Sequence, residues 1–191
     1  MSDPFANSAP ARIWPDLGLL LWGFAEATLF FIVPDVGLTY AAIESPRVAL
    51  RRMLWATLGA LIGAAVMYAW GSIAFDSARH AVALVPAISD RLIEACRDEL
   101  NAHGVLSMIP GAFRGVPIKV YAIHAGDLHT PLLAFLPVLA LARVIRFAAA
   151  IAATTVVRRT LARRLSDARA RQVLIAFWMV SYAAFFALMP C

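Results

Sequence analysis

Cysteine, lysine and charged residues in general are scarce in this chain of 191 residues. The two cysteines, Cys96 and Cys191, are too few and too far apart in sequence to indicate a disulfide framework, a metal site or a redox pair. Only 15% of the residues are charged, whereas about 25% is usual in soluble domains, and 62% are hydrophobic. A water-soluble globular domain is therefore excluded, and the composition indicates an integral membrane protein.

Motifs for cofactors are also absent from the sequence. It has no His-x-x-x-His spacing for a metal and no glycine-rich nucleotide loop after a strand. We therefore predict no cofactor and no enzymatic activity, with an intramembrane enzyme that acts on lipid phosphate as an alternative. The net charge is +5, but the basic residues lie mostly in short runs beside apolar segments, which fits membrane topology rather than a nucleic acid partner.

Several apolar stretches approach the length of about 20 residues that a helix needs to cross a bilayer. Two of them are interrupted, the first by Glu26 and the pair Pro34-Asp35. The second is broken by Pro110, Gly111, Arg114, Gly115 and Pro117. Each interrupted stretch is followed by a stretch that we interpret as a complete span. The predicted segments are a broken stretch at 17–43, a span at 53–75, a broken stretch at 104–126, a span at 131–157 and a last span at 173–189.

The distribution of arginine in the connections favours an inverted repeat. Three arginines at 47–52 precede the first span and six at 158–171 follow the second, so the positive-inside rule places both groups in the cytoplasm. The connection 76–103 carries five acids and three arginines, which suits the outer side. Both arginine groups lie in the cytoplasm, and the connection 76–103 lies outside, only if both broken stretches are re-entrant. This arrangement gives two units of opposite orientation, as in many transporters. The predicted fold is all-α: two inverted units, each a broken re-entrant helix followed by a transmembrane helix, plus a C-terminal transmembrane helix.

A single membrane domain at 17–191 is predicted to follow a polar N-terminal tail at 1–16. Apolar and charged residues alternate with helical spacing at 77–102, which predicts an amphipathic helix on the outer surface. The arginine-rich segment 158–171 is assigned to the cytoplasm. The outer helix most simply presents a solvated face, and the alternative, partner docking, would make the chain a non-transporting assembly or interaction protein.

Six ionisable residues lie inside the apolar stretches and form the strongest functional signal. A charged side chain at the centre of a spanning helix costs about 2.5–3.5 kcal/mol on insertion scales, so such residues usually face a protein interior or a wet cavity. Four of the six are cationic and two are anionic, which leaves a surplus of +2 and predicts an anionic ligand. The six are Glu26, Asp35, Arg114, Lys119, Arg143 and Arg146.

Two of the cations lie near the middle of the second predicted span. Arg143 and Arg146 are three residues apart, hence on one helix face, and we expect them to bind the substrate. The alternative is that they pair with Glu26 and Asp35 and hold the helices together. Asp35 also suits the N-cap of the half-helix that follows it.

The other two cations flank the second break. The freed amides of residues 115–116 and the start of the next half-helix are expected beside Arg114 and Lys119, an arrangement that suits a phosphate group. Glu26 lies in an otherwise apolar helix, and we interpret it, with Asp35, as a proton-carrying group.

The same residues carry a resemblance to a known family. AEATLFFIVPDV at 25–36 resembles the first signature of the DedA superfamily, also called SNARE-associated or VTT-domain proteins, and especially of its YqaA-like branch. PIKVYAIHAG at 117–126 resembles the second signature, and ARVIRF at 142–147 resembles the arginine motif that follows it. Lys119 departs from the main pattern, which has an arginine three residues after the proline, where this chain has Val120.

This resemblance covers roughly residues 17–157 and implies two opposed re-entrant helices with lipid transport or scrambling. The family is associated with undecaprenyl phosphate and other phospholipids, with membrane acids linked to proton use and arginines to the lipid phosphate. By motif position, Glu26 and Asp35 match the acidic sites and Arg114 matches the first basic site. We therefore predict a transporter or scramblase of the bacterial inner membrane, whose partners are a lipid phosphate headgroup, membrane lipids and protons.

Overall fold

The computed structural model describes residues 10–161 and 166–188 of the chain. Every regular element within these two ranges is helical. A short 3-10 turn, Gly104–Ser107, joins the fifth helix to the sixth. The α-helices, numbered in chain order, are α1 Pro10–Ala27, α2 Asp35–Glu44, α3 Pro46–Ile73, α4 Phe75–Ala83, α5 Asp90–His103, α6 Met108–Arg114, α7 Ile118–Asp127, α8 Leu132–Leu161 and α9 Asp167–Leu188.

Three of these helices, α3, α8 and α9, are long and apolar enough to cross a membrane. α3 has 28 residues and α8 has 30, so at about 1.5 Å per residue both exceed a hydrocarbon core of about 30 Å. No residue in the most apolar part of α9 is buried, so this helix lies on the outside of the helix bundle. The described structure is all-helical, as predicted, and its long helices fit a multi-pass membrane protein.

The two predicted cytoplasmic groups of arginines lie at the same end of the assembly. Arg171 at the start of α9 pairs with Glu44 at the end of α2, with 2.9 Å between the charged atoms. α3, which carries the other group in its first turns, begins directly after α2. At the opposite end, the Tyr68 hydroxyl near the end of α3 donates to the Thr130 carbonyl oxygen just before α8, at 2.7 Å. α3 and α8 are therefore antiparallel, as the charge argument requires.

A connection without helix lies at Pro34 and at 115–117, two of the predicted interruptions. α1 continues through Glu26, so no break lies at that residue. Residues 28–34 separate α1 from α2, and residues 115–117 separate α6 from α7. Gly115 has a φ of 83°, the left-handed conformation in which helices often end and which costs glycine little. Pro117 directly precedes α7, where its missing amide proton interrupts no helical bond. The further proline Pro110 lies in the first turn of α6 and leaves that helix intact for the same reason.

Helix boundaries at the chain ends differ from the predicted segments. α1 begins at Pro10, inside the predicted polar tail, and Asp16 is buried within it because the carboxylate pairs with Arg51 at 2.9 Å. The rest of that tail, residues 1–9, lies outside the described residues. The predicted basic segment is the end of α8 and the start of α9, and residues 162–165 between them also lie outside the described residues.

The single outer helix predicted at 77–102 is two helices, α4 and α5. Pro86 lies in their connection, and the Ser89 hydroxyl accepts a hydrogen bond from the Leu92 amide at 3.3 Å, which caps α5. One face of α5 is buried in the same core as α7, through Ile93 and Cys96. The segment is amphipathic, as predicted, but the proline and the cap divide it.

Glycines bring α1 and α3 into close contact. A Cβ on Gly59 would collide with the Leu20 carbonyl oxygen, and a Cβ on Gly63 would lie 2.7 Å from the Phe24 carbonyl oxygen. Gly23 belongs to α1 and packs against the backbone of α3 in the same contact. α1, which carries the first of the six ionisable residues, is therefore fixed against the longest helix of its unit.

Gly59→Leu should reduce the free energy of unfolding by about 1–3 kcal/mol, because the added side chain forces α1 away from α3. The measurement is unfolding by sodium dodecyl sulfate in mixed micelles, followed by loss of helical circular dichroism. Gly18→Leu is the matched control, since a Cβ at Gly18 meets open space. Equal stability of the two variants would contradict this account of the contact.

Candidate functional site

A cavity of about 430 Å³ lies between the two helix breaks. Its walls come from both breaks, from the connection between α4 and α5, and from α9. Asp35 and Arg143 are absent from the lining, but each is paired with a residue that belongs to it. The four predicted site residues that line the cavity are Glu26, Arg114, Lys119 and Arg146.

Glu26 and Arg143 form a buried ion pair between α1 and α8. Glu26 is 4% exposed and Arg143 is 2% exposed. The Arg143 guanidinium also lies over the Phe147 ring, 5.4 Å from its centroid, one helical turn further along α8. The geometry is that of the alternative considered from the sequence, in which the pair holds two helices together, and it keeps Arg143 away from the cavity wall.

Asp35 and Arg146 form a second pair, 3.2 Å apart, between α2 and α8. The Arg146 Nη1 atom also donates to the Ala112 carbonyl oxygen in α6, at 3.2 Å. The Asp35 side chain is 5% exposed and the Arg146 side chain is 22% exposed, so the guanidinium opens toward the cavity and its carboxylate does not. Asp35 is not the predicted N-cap: Pro34 holds that position without a side-chain bond, and Arg146 engages the carboxylate.

Arg114 pairs with a carboxylate that the sequence did not single out. Its guanidinium lies 2.8 Å from Glu99 on α5, and the Tyr121 hydroxyl donates to the same carboxylate at 2.9 Å. Glu99 belongs to the amphipathic segment, where acids are usual on a solvated face, and no sequence signal distinguished it from the other three acids there. Because the Arg114 side chain is 54% exposed, it keeps donor groups available beside this pair.

Arg114 also lines a second cavity, of about 470 Å³. Glu99, His103 and Ser107 contribute polar groups to this second cavity, at the end of the assembly opposite the paired Arg171. The Arg114 side chain therefore lies between the two cavities, and the ion pair with Glu99 forms part of the partition.

Lys119 joins the two breaks directly. Its ammonium group, at the second residue of α7, donates to the Phe30 carbonyl oxygen in the first break at 2.6 Å. The residue is buried, and the carbonyl is neutral, so Lys119 carries a positive charge that this hydrogen bond leaves unbalanced. Among the described cations that line the cavity, it is the one whose hydrogen-bond partner is not a carboxylate.

The amides predicted to bind phosphate at the second break are already engaged. The backbone N–H groups of Gly115 and Val116 both donate to the Gly111 carbonyl oxygen, and the Val116 bond measures 3.1 Å. These bonds close the end of α6, where helix carbonyls otherwise lack partners. Any anion in the cavity therefore meets side chains rather than these two amides, which corrects the expectation from the sequence.

The charge balance is closer than the predicted surplus of +2. With Glu99 included, four cations face three carboxylates, so one positive charge is in excess. In one of the three ion pairs, that of Glu26 and Arg143, the arginine is buried and does not line the cavity. The positive charge at the cavity wall thus comes from Lys119 and from the exposed parts of Arg114 and Arg146.

Aromatic residues of α9 close the outer side of the cavity. The Trp178 indole N–H donates to the Thr39 hydroxyl, and the Val33 amide donates to the Tyr182 hydroxyl, both at 3.0 Å. Phe31 of the first break packs edge-on against Tyr182, with 6.5 Å between the ring centroids. This wall was not predicted from the sequence. The signal for it there is Trp178, a tryptophan inside a predicted span instead of near an end, where such residues are usual.

Comparison of the chain with family models, with curated proteins and with solved structures found no match. The class is therefore defined by the described structure alone: an all-helical protein with three helices long and apolar enough to span a membrane, and an internal cavity between two interrupted helices.

Proposed function

We propose that this protein is a transporter or scramblase that moves a phosphate-bearing lipid across the bacterial inner membrane, without acting on it as an enzyme. Membership of the DedA superfamily, which the signatures at 25–36 and 117–126 imply, is part of the same proposal. The observation that supports it is that Arg114, Lys119 and Arg146 line one cavity, of which α9 forms a wall.

The lengths of the interrupted helices support a re-entrant arrangement. α2 and α7 have ten residues each, or about 15 Å, which is half of a hydrocarbon core. In the proposed topology each of them returns to the side from which its unit entered, and the two breaks meet near the middle of the bilayer. Non-helical backbone is tolerated at that depth where it lines a cavity instead of contacting lipid.

Binding of the lipid phosphate is proposed to be an exchange of partners. Arg146 and Arg114 each pair with a carboxylate, so neither is a buried charge without a partner. A phosphate entering beside Lys119 supplies oxygens to both guanidinium groups, and charge-assisted bonds of this kind are about twice as strong as neutral ones. The apolar and aromatic wall of α9 then contacts the acyl chains.

The carboxylates take the proton-carrying role in this proposal. Glu26 lines the cavity while its partner Arg143 does not, so a proton that arrives through the cavity reaches Glu26 first. Protonation of Glu26 or Asp35 removes a negative charge that competes with the phosphate for the cations. Proton uptake and lipid binding are thereby coupled through the same ion pairs.

Proteoliposomes made of phosphatidylethanolamine and phosphatidylglycerol test the proposal. Fluorescent phosphatidylglycerol in the inner leaflet should become accessible to dithionite at the outer surface when the protein is present, at a rate that a pH gradient changes. A fluorescent diacylglycerol glycolipid, which lacks phosphate, should move at the rate of protein-free vesicles. Movement of neither lipid would contradict the proposal and favour an assembly protein, and release of inorganic phosphate would favour an enzyme.

Arg114→Gln should lower the rate of phosphatidylglycerol movement by about tenfold, because a charge-assisted bond contributes about 1.5–3 kcal/mol. The protein should still fold, since Arg114 is exposed and Glu99 keeps its bond from Tyr121. Arg47→Gln, an exposed arginine at the opposite end, is the matched control and should leave the rate unchanged. Equal rates for both variants would remove Arg114 from the phosphate site.

A further inference from the structure

A separate groove lies between the second half of α8 and the first half of α9. Its volume is about 320 Å³, and it shares no residue with the cavity of the proposed transport site. α8 and α9 barely contact each other, so the groove opens along their length. The residues that form its two sides are Ala153, Thr154 and Val157 of α8 and Val173, Leu174 and Phe177 of α9.

The groove is apolar and open to the outside. Val157 is 55% exposed, Val173 is 54% exposed and Phe177 is 60% exposed. Both helices are long and apolar enough to span a membrane. An exposed apolar groove between two such helices is suited to an acyl chain.

One end of the groove is strongly basic. Arg158 lines it, and the segment 158–171 contains six arginines and one aspartate, a net charge of +5 that equals the net charge of the entire chain. Arg158 pairs with Asp167, while Arg159 beside it is exposed. The Arg158 guanidinium thus lies at the end of the groove, where the headgroup of a lipid would lie if its acyl chain followed α8 and α9.

We propose that this groove binds an anionic phospholipid, with one acyl chain between α8 and α9 and the phosphate at Arg158, the arginine that lines the groove. Basic pockets between transmembrane helices on the cytoplasmic side are suited to such headgroups. A second copy of the chain is a poorer occupant, because it would bring an identical segment of charge +5 against this one. The lipid is a resident ligand, distinct from the lipid that the central cavity is proposed to move, so this proposal does not depend on the other.

The test uses the full chain, purified in a neutral maltoside detergent. Palmitoyl-oleoyl phosphatidylglycerol should raise the unfolding temperature by on the order of 5 °C, because a ligand bound only to the folded state stabilises it. The same amount of palmitoyl-oleoyl phosphatidylcholine should give less than half of that shift. Inorganic phosphate alone should give no shift, since it lacks the acyl chain. Equal shifts with both lipids, or a full shift with phosphate alone, would overturn the proposal.

Two variants test whether the lipid binds in the groove. Ala153→Phe fills it, and Arg158→Gln removes the guanidinium that lines its end; each should reduce the phosphatidylglycerol shift by at least half. Ala152→Phe, at an exposed neighbour outside the groove, and Arg91→Gln, on α5, are the matched controls and should keep the full shift. The arginine variant keeps the test valid if the phenylalanine variant fails to fold.

The same variants separate this site from the transport site. Arg114→Gln should keep the phosphatidylglycerol shift even where it slows lipid movement, because Arg114 contributes nothing to the groove. A full shift in both groove variants would show that the lipid binds elsewhere and would overturn the assignment. A dimer that forms without added lipid and is lost in Ala153→Phe would identify a second copy as the occupant and would also overturn it.

Discussion

Replacing Arg143 with leucine should cost about 3–5 kcal/mol of folding free energy, because the Glu26 carboxylate is left buried without its partner. The Arg143 side chain is sealed and the Glu26 side chain is only 6% exposed at the cavity wall, so solvent replaces little of the interaction with the guanidinium. The free energy is obtained from unfolding by sodium dodecyl sulfate in mixed micelles. A loss of less than about 1 kcal/mol would show that the pair is more solvated or more weakly coupled than the geometry implies.

The double variant E26L/R143L distinguishes a structural pair from a functional one. Buried ion pairs replaced together by apolar residues of similar volume are often neutral or stabilising, so most of the lost free energy should return. If Glu26 carries protons, the same variant should fold and yet lose the effect of a pH gradient on lipid movement. Recovery of both stability and pH response would assign the pair to helix packing alone.

The variant D35N/R146Q should reduce phosphatidylglycerol movement by about tenfold to a hundredfold, since it removes the partly exposed guanidinium from the cavity wall. Both charges disappear together and both amides can still form a hydrogen bond, so no unpartnered charge is left buried. The rate is measured in the same vesicles as the wild type, with reconstituted protein quantified to correct for yield.

R146K serves as the conservative control for this position. It retains the positive charge beside Asp35 but not the planar guanidinium that can donate to Asp35 and to the Ala112 carbonyl oxygen together. We expect a rate between those of the wild type and D35N/R146Q, with stability close to that of the wild type. A wild-type rate in D35N/R146Q would exclude Arg146 from phosphate binding.

These two predictions concern arginines that the sequence treats alike. Arg143 and Arg146 lie one helical turn apart on α8, and each faces a carboxylate from the first unit. Their difference is exposure: the Arg143 side chain is sealed and the Arg146 side chain opens toward the cavity. We therefore expect the first to affect mainly stability and the second mainly lipid movement.

Several features of the site follow from residues that the sequence marks clearly. Charged side chains are costly in hydrocarbon, so the presence of Glu26, Asp35, Arg143 and Arg146 in apolar stretches predicts that they meet. Helix breaks follow from Pro117 and from other residues that cannot continue a helix. The identities of the partners, Glu26 with Arg143 and Asp35 with Arg146, were available from the sequence only as an alternative.

Other features could not be predicted, because they depend on how distant segments pack. Glu99 reaches Arg114 only because α5 packs against α7, and its sequence context is that of an ordinary solvated acid. Trp178 and Tyr182 form a wall of the cavity only because α9 returns beside the first break. The engagement of the Gly115 amide depends on the local geometry at the end of α6.

The sequence by itself determined the helical class, the long apolar helices and the two breaks, because each follows from local composition. It also determined the set of ionisable residues that avoid hydrocarbon, because a charge is costly to bury there. Only the tertiary structure decided which cation meets which carboxylate, how many charges remain in excess, and which guanidinium groups stay open to a ligand. The reason is that pairing and exposure are set by contacts between helices far apart in the chain, and no local pattern encodes those distances.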